Sequence, residues 1–291
     1  MQFHSGKHPQ WSSHVWLEYA RDCLCEAGIA DPLREARYLY HAILHADTPH
    51  LPPKRDDMLD DADLQRCMAA LARRARYEPL AKIIGRRTFW SLDFRINEHV
   101  LDPRADSETL IVLALRNLDP FPQARILDVG TGSGCLLLSL LHECPGACGI
   151  GCDISFQAIQ VAHDNAKRLQ LKSRAHFLCS DLVSACKGPF DIVVSNPPYI
   201  AHAALATLAP DVRDYDPVLA LDGGDDGLDY YRNLAQDCAN LAHETTKICV
   251  EIGHDQMQLV CTIFQAHRWQ LYDSARDLGG KIRALAFTKA H

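Results

Sequence analysis

From residue 125 onward, the chain alternates between short apolar runs, which suit buried strands, and amphipathic helical patterns. Strand candidates occupy residues 125–129, 149–152, 175–179, 190–195 and 247–252, with helical runs between the first four. Parallel neighbours must be joined by long crossovers, usually helices, so this order predicts a doubly wound, mostly parallel α/β sheet. Residues 269–273 and 282–287 enclose Asp277-Leu278-Gly279-Gly280 and predict a terminal β-hairpin.

The first third of the chain is different, because its apolar residues recur at helical spacing. Residues 16–27 predict a helix that Gly28 ends, Asp31-Pro32 opens a second helix, and residues 61–77 predict a third. Residues 87–101 alternate as a β-hairpin does. We therefore predict a small helical bundle over residues 1–85, a β-hairpin linker over residues 86–102 and the sheet domain over residues 103–291.

The charge balance and the cysteines narrow the function classes. A formal net charge of −7 argues against a protein that binds mainly through phosphate backbones, which requires a broad basic surface. The 12 cysteines never form Cys-x-x-Cys, which favours reduced thiols in a cytoplasmic protein, and neither they nor the histidines form a grouping that predicts a metal. The N-terminus is polar and contains no apolar stretch, so no signal peptide is predicted. The chain has no run of about 20 apolar residues, so no membrane span is predicted.

The ends of the first three predicted strands carry residues that suit a nucleoside. The first strand runs into Gly130-Thr131-Gly132-Ser133-Gly134 and then a helix, so backbone N–H groups can approach a ligand closely. Asp153 ends the second strand, where a carboxylate can accept hydrogen bonds from both ribose hydroxyls. Ser180-Asp181-Leu182 follows the third strand and is placed to flank an adenine ring. These features alone do not separate a dinucleotide from S-adenosylmethionine.

The fourth strand ends in Asn196-Pro197-Pro198-Tyr199. Proline has no N–H group, so this turn presents free carbonyls beside an amide and an aromatic ring, which suits a planar amine or amide. Asn196 could instead cap its own turn, a common role for asparagine before proline. Beside a nucleoside pocket, the turn favours methyl transfer from S-adenosylmethionine to a planar nitrogen.

In these stretches the chain resembles the class I S-adenosylmethionine-dependent methyltransferases, and more closely the HemK-type family of bacterial release factor N5-glutamine methyltransferases. The matching stretches are residues 78–85 with Phe89-Trp90, residues 103–108, 128–134, 196–199, 212–217 and 277–280. The chain departs from the family pattern at Asp102, Ala105 and Leu182. The resemblance implies a Rossmann-like seven-stranded sheet, preceded by a helical domain that docks the protein substrate.

The resemblance also implies a reaction, in which a methyl group passes from S-adenosylmethionine to the side-chain amide nitrogen of the glutamine in the Gly-Gly-Gln motif of peptide chain release factors. The Asn196 side-chain oxygen and the Pro197 carbonyl would accept the two amide N–H bonds, and Tyr199 would pack against the amide plane. The residues implied to bind the substrate are Asn196, Pro197, Pro198 and Tyr199. Those implied to take part in catalysis are Asn196, Pro197 and Tyr199. Cofactor binding falls to Gly130, Thr131, Gly132, Ser133, Gly134, Asp153, Asp181, Leu182 and Asn196.

Several alternatives stay open on the sequence. A related family methylates a glutamine of a large-subunit ribosomal protein, adenine-N6 nucleic-acid methyltransferases share the Asn-Pro-Pro-Tyr turn, and a non-catalytic binding module is a third possibility. We expect a monomer with a release factor as partner, no membrane and no nucleic-acid substrate.

Weaker site candidates accompany this reading. Glu251 is interpreted as a solvated carboxylate at a strand end, with approach to the site as the alternative. Arg104 and Glu108 either brace the pocket entrance or form an ion pair at a helix N-terminus. Six basic residues are interpreted as a solvated helix face, with docking of an acidic partner as the alternative; they are Arg73, Arg74, Arg76, Lys82, Arg86 and Arg87.

Overall fold

The computed structural model describes residues 11–44, 57–118 and 123–290. The chain divides into two compact units, Met1–Gly85 and Arg86–His291. The first unit is helical and the second contains the β-sheet.

The first unit consists, in its described part, of helices packed around one apolar core. These helices are α1 (Ser13–Glu26), α2 (Pro32–Leu44), α3 (Asp61–Arg74) and α4 (Leu80–Ile84). Ser12 caps α1 and Asp60 caps α3 by accepting backbone N–H bonds, and Gly28 follows α1 with a positive φ of 76°. Large core side chains include Trp16, Leu39 and Leu71. The sequence analysis expected three helices and missed α4, because five residues are too few to show a period.

The basic run is not simply solvated, as the sequence analysis assumed. Arg73 forms an ion pair with Glu78 at 2.5 Å, and Arg74 forms one with Glu35. Lys82 is buried, with only 7% of its surface exposed. Within the first unit, several of these basic groups therefore stabilise its own fold.

A two-stranded hairpin opens the second unit. Strands β1 (Arg86–Phe89) and β2 (Leu92–Arg95) pair antiparallel around Trp90 and Ser91, both of which have positive φ angles, of 49° and 59°. The Trp90 backbone N–H donates to Glu108 at 3.0 Å, and its indole N–H donates to Glu143 at 2.7 Å. The hairpin is thus fastened to the sheet unit.

The main sheet has seven strands in the order β5-β4-β3-β6-β7-β9-β8. Its strands are β3 (Arg125–Val129), β4 (Cys148–Asp153), β5 (Ala175–Cys179), β6 (Phe190–Ser195), β7 (Ala242–Glu251), β8 (Trp269–Arg276) and β9 (Ile282–Lys289). Strands β3 to β7 run parallel to one another, whereas β9 runs antiparallel to both β7 and β8. The predicted doubly wound, mostly parallel sheet and its terminal hairpin are confirmed.

Helices cover both faces of this sheet. They are α5 (Glu108–Leu118), α6 (Cys135–Glu143), α7 (Phe156–Arg168), α9 (Asp229–Asp237) and α10 (Met257–Ala266), while the short helix α8 (Pro210–Arg213) has no buried residue. One core lies between the sheet and α5, α6 and α7, and a second core lies between the sheet and α9 and α10. Along β6, Ile192 and Val194 point into the first core while Val193 points into the second. The central strands are apolar on both faces for this reason.

One predicted helix is wrong. The sequence analysis expected helical runs between each of the first four strands, but residues 180–189, between β5 and β6, form turns. Buried Val183 and Cys186 are spaced three residues apart, which imitates a helical period. The Ser180 hydroxyl accepts the Ala185 N–H at 3.1 Å, so a side-chain hydrogen bond replaces the helical ladder.

Gly149 tests how closely α6 packs on the sheet. A Cβ atom at this position in β4 would lie 2.5 Å from Leu137 Cδ1 and 2.9 Å from the Ile126 carbonyl oxygen. We expect Gly149→Ala to lower the free energy of unfolding by about 1–3 kcal/mol, because the extra methyl group overpacks the core. Urea denaturation measures the loss.

Gly279→Ala is the matched control, since a Cβ atom there meets no backbone atom and only the Asp277 side chain, at 3.2 Å or more. Equal stability of the Gly149 variant and this control would contradict the close packing of α6.

Candidate active site

A cavity of about 280 Å³ opens at the carboxyl ends of the parallel strands of the second unit. The sheet order reverses direction between β3 and β6, and ligands of doubly wound sheets bind at such a switch point. The structure brings most of the predicted site residues together here: Gly130, Thr131, Gly132, Ser133, Asp153, Asp181, Leu182, Asn196, Pro197 and Pro198 line the cavity. Gly134 and Tyr199 are the two predicted residues that do not.

Gly134 supports the site from behind. It lies at the N-terminus of α6 with φ of 80°, and a Cβ atom there would come within 3.1 Å of Leu138 and 3.2 Å of Ala162. Its lack of a side chain therefore lets α6 and α7 approach each other beneath the turn.

The glycine-rich turn is shaped by Asp128, which the sequence analysis did not single out. The Asp128 carboxylate accepts hydrogen bonds from the Thr131 hydroxyl at 2.7 Å and from the Leu137 N–H at 3.3 Å. It therefore fastens the turn to the first turn of α6. Asp128 is fully buried, and burial raises its pKa to about 7. A carboxylate inside an otherwise apolar strand is the signal that could have identified it.

Asp153 joins the glycine turn to the start of α7. One carboxylate oxygen accepts the Gly132 N–H and the other accepts the Ser155 N–H, both at 2.9 Å. Burial raises the pKa of Asp153, and these two hydrogen bonds oppose the rise. Each oxygen retains a further lone pair, so the carboxylate can still accept the two hydroxyls of a ribose at the cavity wall.

The loop after β5 forms one side of the cavity. Asp181 is exposed, Leu182 is half-buried, and both line the cavity with Tyr230 from α9. Leu182 takes up a positive φ of 45°. The loop thus offers an aliphatic side chain and a tyrosine ring to a flat apolar ligand such as a purine.

The Asn196 turn forms the opposite wall. Asn196 Nδ2 donates a hydrogen bond to the Ser107 hydroxyl at 3.0 Å. No described residue donates to Asn196 Oδ1 or to the Pro197 carbonyl oxygen. The cavity is therefore lined by two residues whose acceptors are free for a ligand that carries N–H groups.

Tyr199 lies farther back than the sequence analysis expected. Its side chain packs against the second core, and burial raises the pKa of its phenol to about 12. Its carbonyl oxygen accepts the Gln256 Nε2 hydrogen bond at 3.0 Å. Contact of Tyr199 with a substrate amide stays a prediction.

Glu251 is not the solvated carboxylate that the sequence analysis described. It ends β7 with only 3% of its surface exposed, and burial raises its pKa to about 7. Hydrogen bonding from Ser107 and Asn196 acts in the opposite direction and lowers this pKa. Its Oε2 atom is buried, and no residue in the described part of the chain forms a hydrogen bond with it. The position of Glu251 at a strand end did not reveal its burial, because the burial of a strand end depends on which other segments cover it.

Arg104 and Glu108 have separate partners. Arg104 lines the cavity and pairs with buried Asp216 at 2.5 Å, while Glu108 accepts the Trp90 N–H. Asp216 also accepts the Asp102 N–H at 3.3 Å. Of the two readings offered for Arg104, bracing the pocket is the one that these contacts support.

Comparisons with known proteins agree with this fold. Residues 104–211 match the family described as Methyltransferase small domain, and residues 15–85 match the PrmC N-terminal domain. A solved methyltransferase from Pyrococcus furiosus superposes with a TM-score of 0.51 at 15% identity, covering 80% of this chain and 100% of that one. The protein is therefore an enzyme of the Rossmann-like methyltransferase class, and its cofactor is S-adenosyl-L-methionine.

Two curated relatives narrow the class. The release factor glutamine methyltransferase of Agrobacterium fabrum is 42% identical over 93% of this chain and 95% of its own length. The protein of the same name from Rhodospirillum rubrum is 42% identical over 89% of this chain and 79% of its own length. The chain belongs to the release factor glutamine methyltransferase family.

Across the described residues, every helix is too short or too polar to cross a bilayer.

Asp128 makes the stability of the fold depend on pH. Its pKa rises from 3.8 to about 7 on folding, so the unfolded chain ionises first and stability falls as pH rises between these values. We expect Asp128→Asn, which keeps an acceptor for Thr131 and Leu137, to abolish this fall. At about pH 8 the variant should exceed wild type by up to about 4 kcal/mol in free energy of unfolding, and the excess should vanish near pH 4.

Urea titrations at the two pH values measure this difference. Asp181→Asn, at an exposed position, serves as the control. An excess of the same size at both pH values would show that Asp128 does not titrate within this range.

Proposed function

We propose that this enzyme methylates the side-chain amide nitrogen of the glutamine in the Gly-Gly-Gln motif of peptide chain release factors. The observation that carries the proposal is a pair of acceptors on residues that line the cavity, Asn196 Oδ1 and the Pro197 carbonyl oxygen, to which no described residue donates. A primary amide has two N–H bonds, so it matches two acceptors. The names of the relatives state a release factor glutamine as the group that is methylated.

The residues at the strand ends fit the cofactor. Asp153 has lone pairs left for ribose hydroxyls, Gly130 to Ser133 of the glycine turn line the cavity, and Leu182 with Tyr230 can enclose an adenine. When bound, S-adenosylmethionine supplies an electrophilic methyl group on a sulfonium. This assignment covers Gly130 to Ser133, Asp153, Asp181, Leu182 and Asn196, with Gly134 acting through packing.

Orientation is the main contribution of the protein to the reaction. An amide nitrogen is a weak nucleophile because its lone pair is delocalised into the carbonyl. Asn196 and Pro197 would hold both amide hydrogens, so that the free face of the nitrogen meets the methyl donor in line. Fixing two reactants in such geometry can supply several kcal/mol, and up to about 7–11 kcal/mol for an ideally aligned pair. The proton released after transfer can pass to water.

The remaining assignments follow from this substrate. Release factors act in translation, so we place the enzyme in the cytoplasm, and the helical unit is proposed to dock the protein substrate. We expect a monomer, since a cavity lined by one chain needs no second copy. The net charge of −7 weighs against a nucleic-acid substrate.

A parallel labelling assay tests the substrate. The purified enzyme is incubated with methyl-labelled S-adenosylmethionine and, in separate reactions, a release factor, a large-subunit ribosomal protein and duplex DNA. We expect label on the release factor, and none on a release factor whose motif glutamine is replaced by alanine. Label on DNA alone, or on the ribosomal protein alone, would overturn the proposed substrate.

Substitution of Asn196 tests the acceptor pair. We expect Asn196→Ala to lower kcat by at least about 100-fold, because one of the two groups that orient the amide is lost, while the Kd for S-adenosylmethionine changes only a few-fold. Single-turnover assays and calorimetric titration measure the two quantities.

Asn233→Ala, at an exposed position in α9, is the matched control. Near-normal turnover in the Asn196→Ala variant would show that Asn196 does not orient the substrate amide.

A further inference from the structure

The side-chain amide of Asn196 is useful in only one orientation. Its oxygen must point at the substrate N–H, so its Nδ2 must point away, toward Ser107. The Ser107 hydroxyl accepts the Nδ2 bond at 3.0 Å. A hydroxyl can equally donate to an amide oxygen, however, so Ser107 alone would tolerate the reversed amide. Some further group must select the productive orientation.

Glu251 is that further group by position, because Ser195 lies opposite Val250 in the parallel β6–β7 pair, so that Asn196 and Glu251 are the next residues of adjacent strands. Hydrogen bonding from both Ser107 and Asn196 favours its charged form, and Glu251 itself is almost fully buried at the end of β7. An ionised carboxylate only accepts hydrogen bonds. It therefore draws the Ser107 hydroxyl hydrogen and an Asn196 Nδ2 hydrogen toward itself, which leaves Asn196 Oδ1 free.

Each element packed against Glu251 contributes charged or titratable groups near its carboxylate. Arg283 of β9 favours the carboxylate, and Asp106, in the turn before α5, opposes it. Tyr199, Tyr231 of α9 and Cys135 of α6 also face it as neutral groups whose pKa values its charge raises. The Tyr231 hydroxyl donates to the Glu251 backbone carbonyl at 2.9 Å and not to the carboxylate. One carboxylate oxygen, Oε2, has no hydrogen-bond partner among the described residues.

We propose that Glu251 is a positioning residue whose ionised carboxylate, acting on Ser107 and Asn196, keeps Asn196 Oδ1 turned toward the cavity. The inference rests on the proposed function, because it assigns the orientation that an amide substrate requires. A protonated Glu251 becomes a hydrogen-bond donor and pairs with Asn196 Oδ1, so the amide reverses and presents Nδ2 to the substrate N–H groups. Methyl transfer therefore switches on as Glu251 ionises.

The pH dependence of turnover is the first test. We expect wild-type kcat, measured from about pH 6 to about pH 9, to rise through an inflection that follows ionisation of Glu251. Glu251→Gln should lower kcat by about 100-fold at the alkaline end and remove the inflection, while the Kd for S-adenosylmethionine changes only a few-fold. Glu251→Asp should restore part of the rate and the inflection.

Glu244→Gln is the matched control, because Glu244 is an exposed glutamate of the same strand. It should keep wild-type kcat and the wild-type pH profile. A Glu251→Gln enzyme with wild-type kcat and an unchanged inflection would overturn the proposal.

A second test needs no substrate and follows the titration in the wild-type protein. The side-chain amide signals of Asn196 in a ¹⁵N-labelled wild-type protein are assigned by their loss in Asn196→Ala, and their shifts are followed with pH. We expect both signals to move together with the ionisation of Glu251. Signals that stay constant over the same range would overturn the proposal. If release factors prove not to be methylated, this titration still reports on Glu251, so the two failures are distinguishable.

Discussion

The pairing of β3 with β6 is the constraint on which the active site depends. In this parallel pair Val129 lies opposite Ser195, and the Ser195 hydroxyl donates to the Val129 carbonyl at 2.7 Å. The next residue of one strand is Gly130 and that of the other is Asn196. One hydrogen-bonded register therefore sets the distance between the turn that binds the methyl donor and the turn that binds the methyl acceptor.

Buried carboxylates surround this register, and they oppose stability. Asp128 and Glu251 are almost fully buried, and burial raises the pKa of both to about 7. An apolar residue at either position would avoid the desolvation penalty. Asp128 shapes the glycine turn, which needs a defined backbone orientation. Glu251 lies behind Asn196, which needs a defined amide orientation. Each desolvation penalty is therefore incurred beside a group whose orientation matters for the site. The buried carboxylates lower the stability of the fold at the site, and burial of apolar side chains in the two cores offsets this loss.

Much of the fold followed from the sequence because its signals are local. Strands β3 and β6 were placed to the residue, since each is a mainly apolar run that ends in a glycine or asparagine turn. Helix α4 escaped notice because it is shorter than two helical turns. The helical run expected between β5 and β6 is wrong. Val183 and Cys186 are spaced three residues apart, as on a helix, but Ser180 fixes the chain in turns through its side chain.

The sequence by itself determined the class of sheet, the glycine turn, Asp153 and the Asn196 turn, because strand periodicity and turn chemistry depend on neighbours along the chain. Only the tertiary structure decided which side chains lose contact with water. Glu251 lies far along the chain from Ser107 and Asn196, and Asp216 lies far from Arg104, yet each is buried against its partners. Burial and charge pairing arise from distant segments, so no local pattern could show that a strand-end glutamate stands behind the acceptor amide.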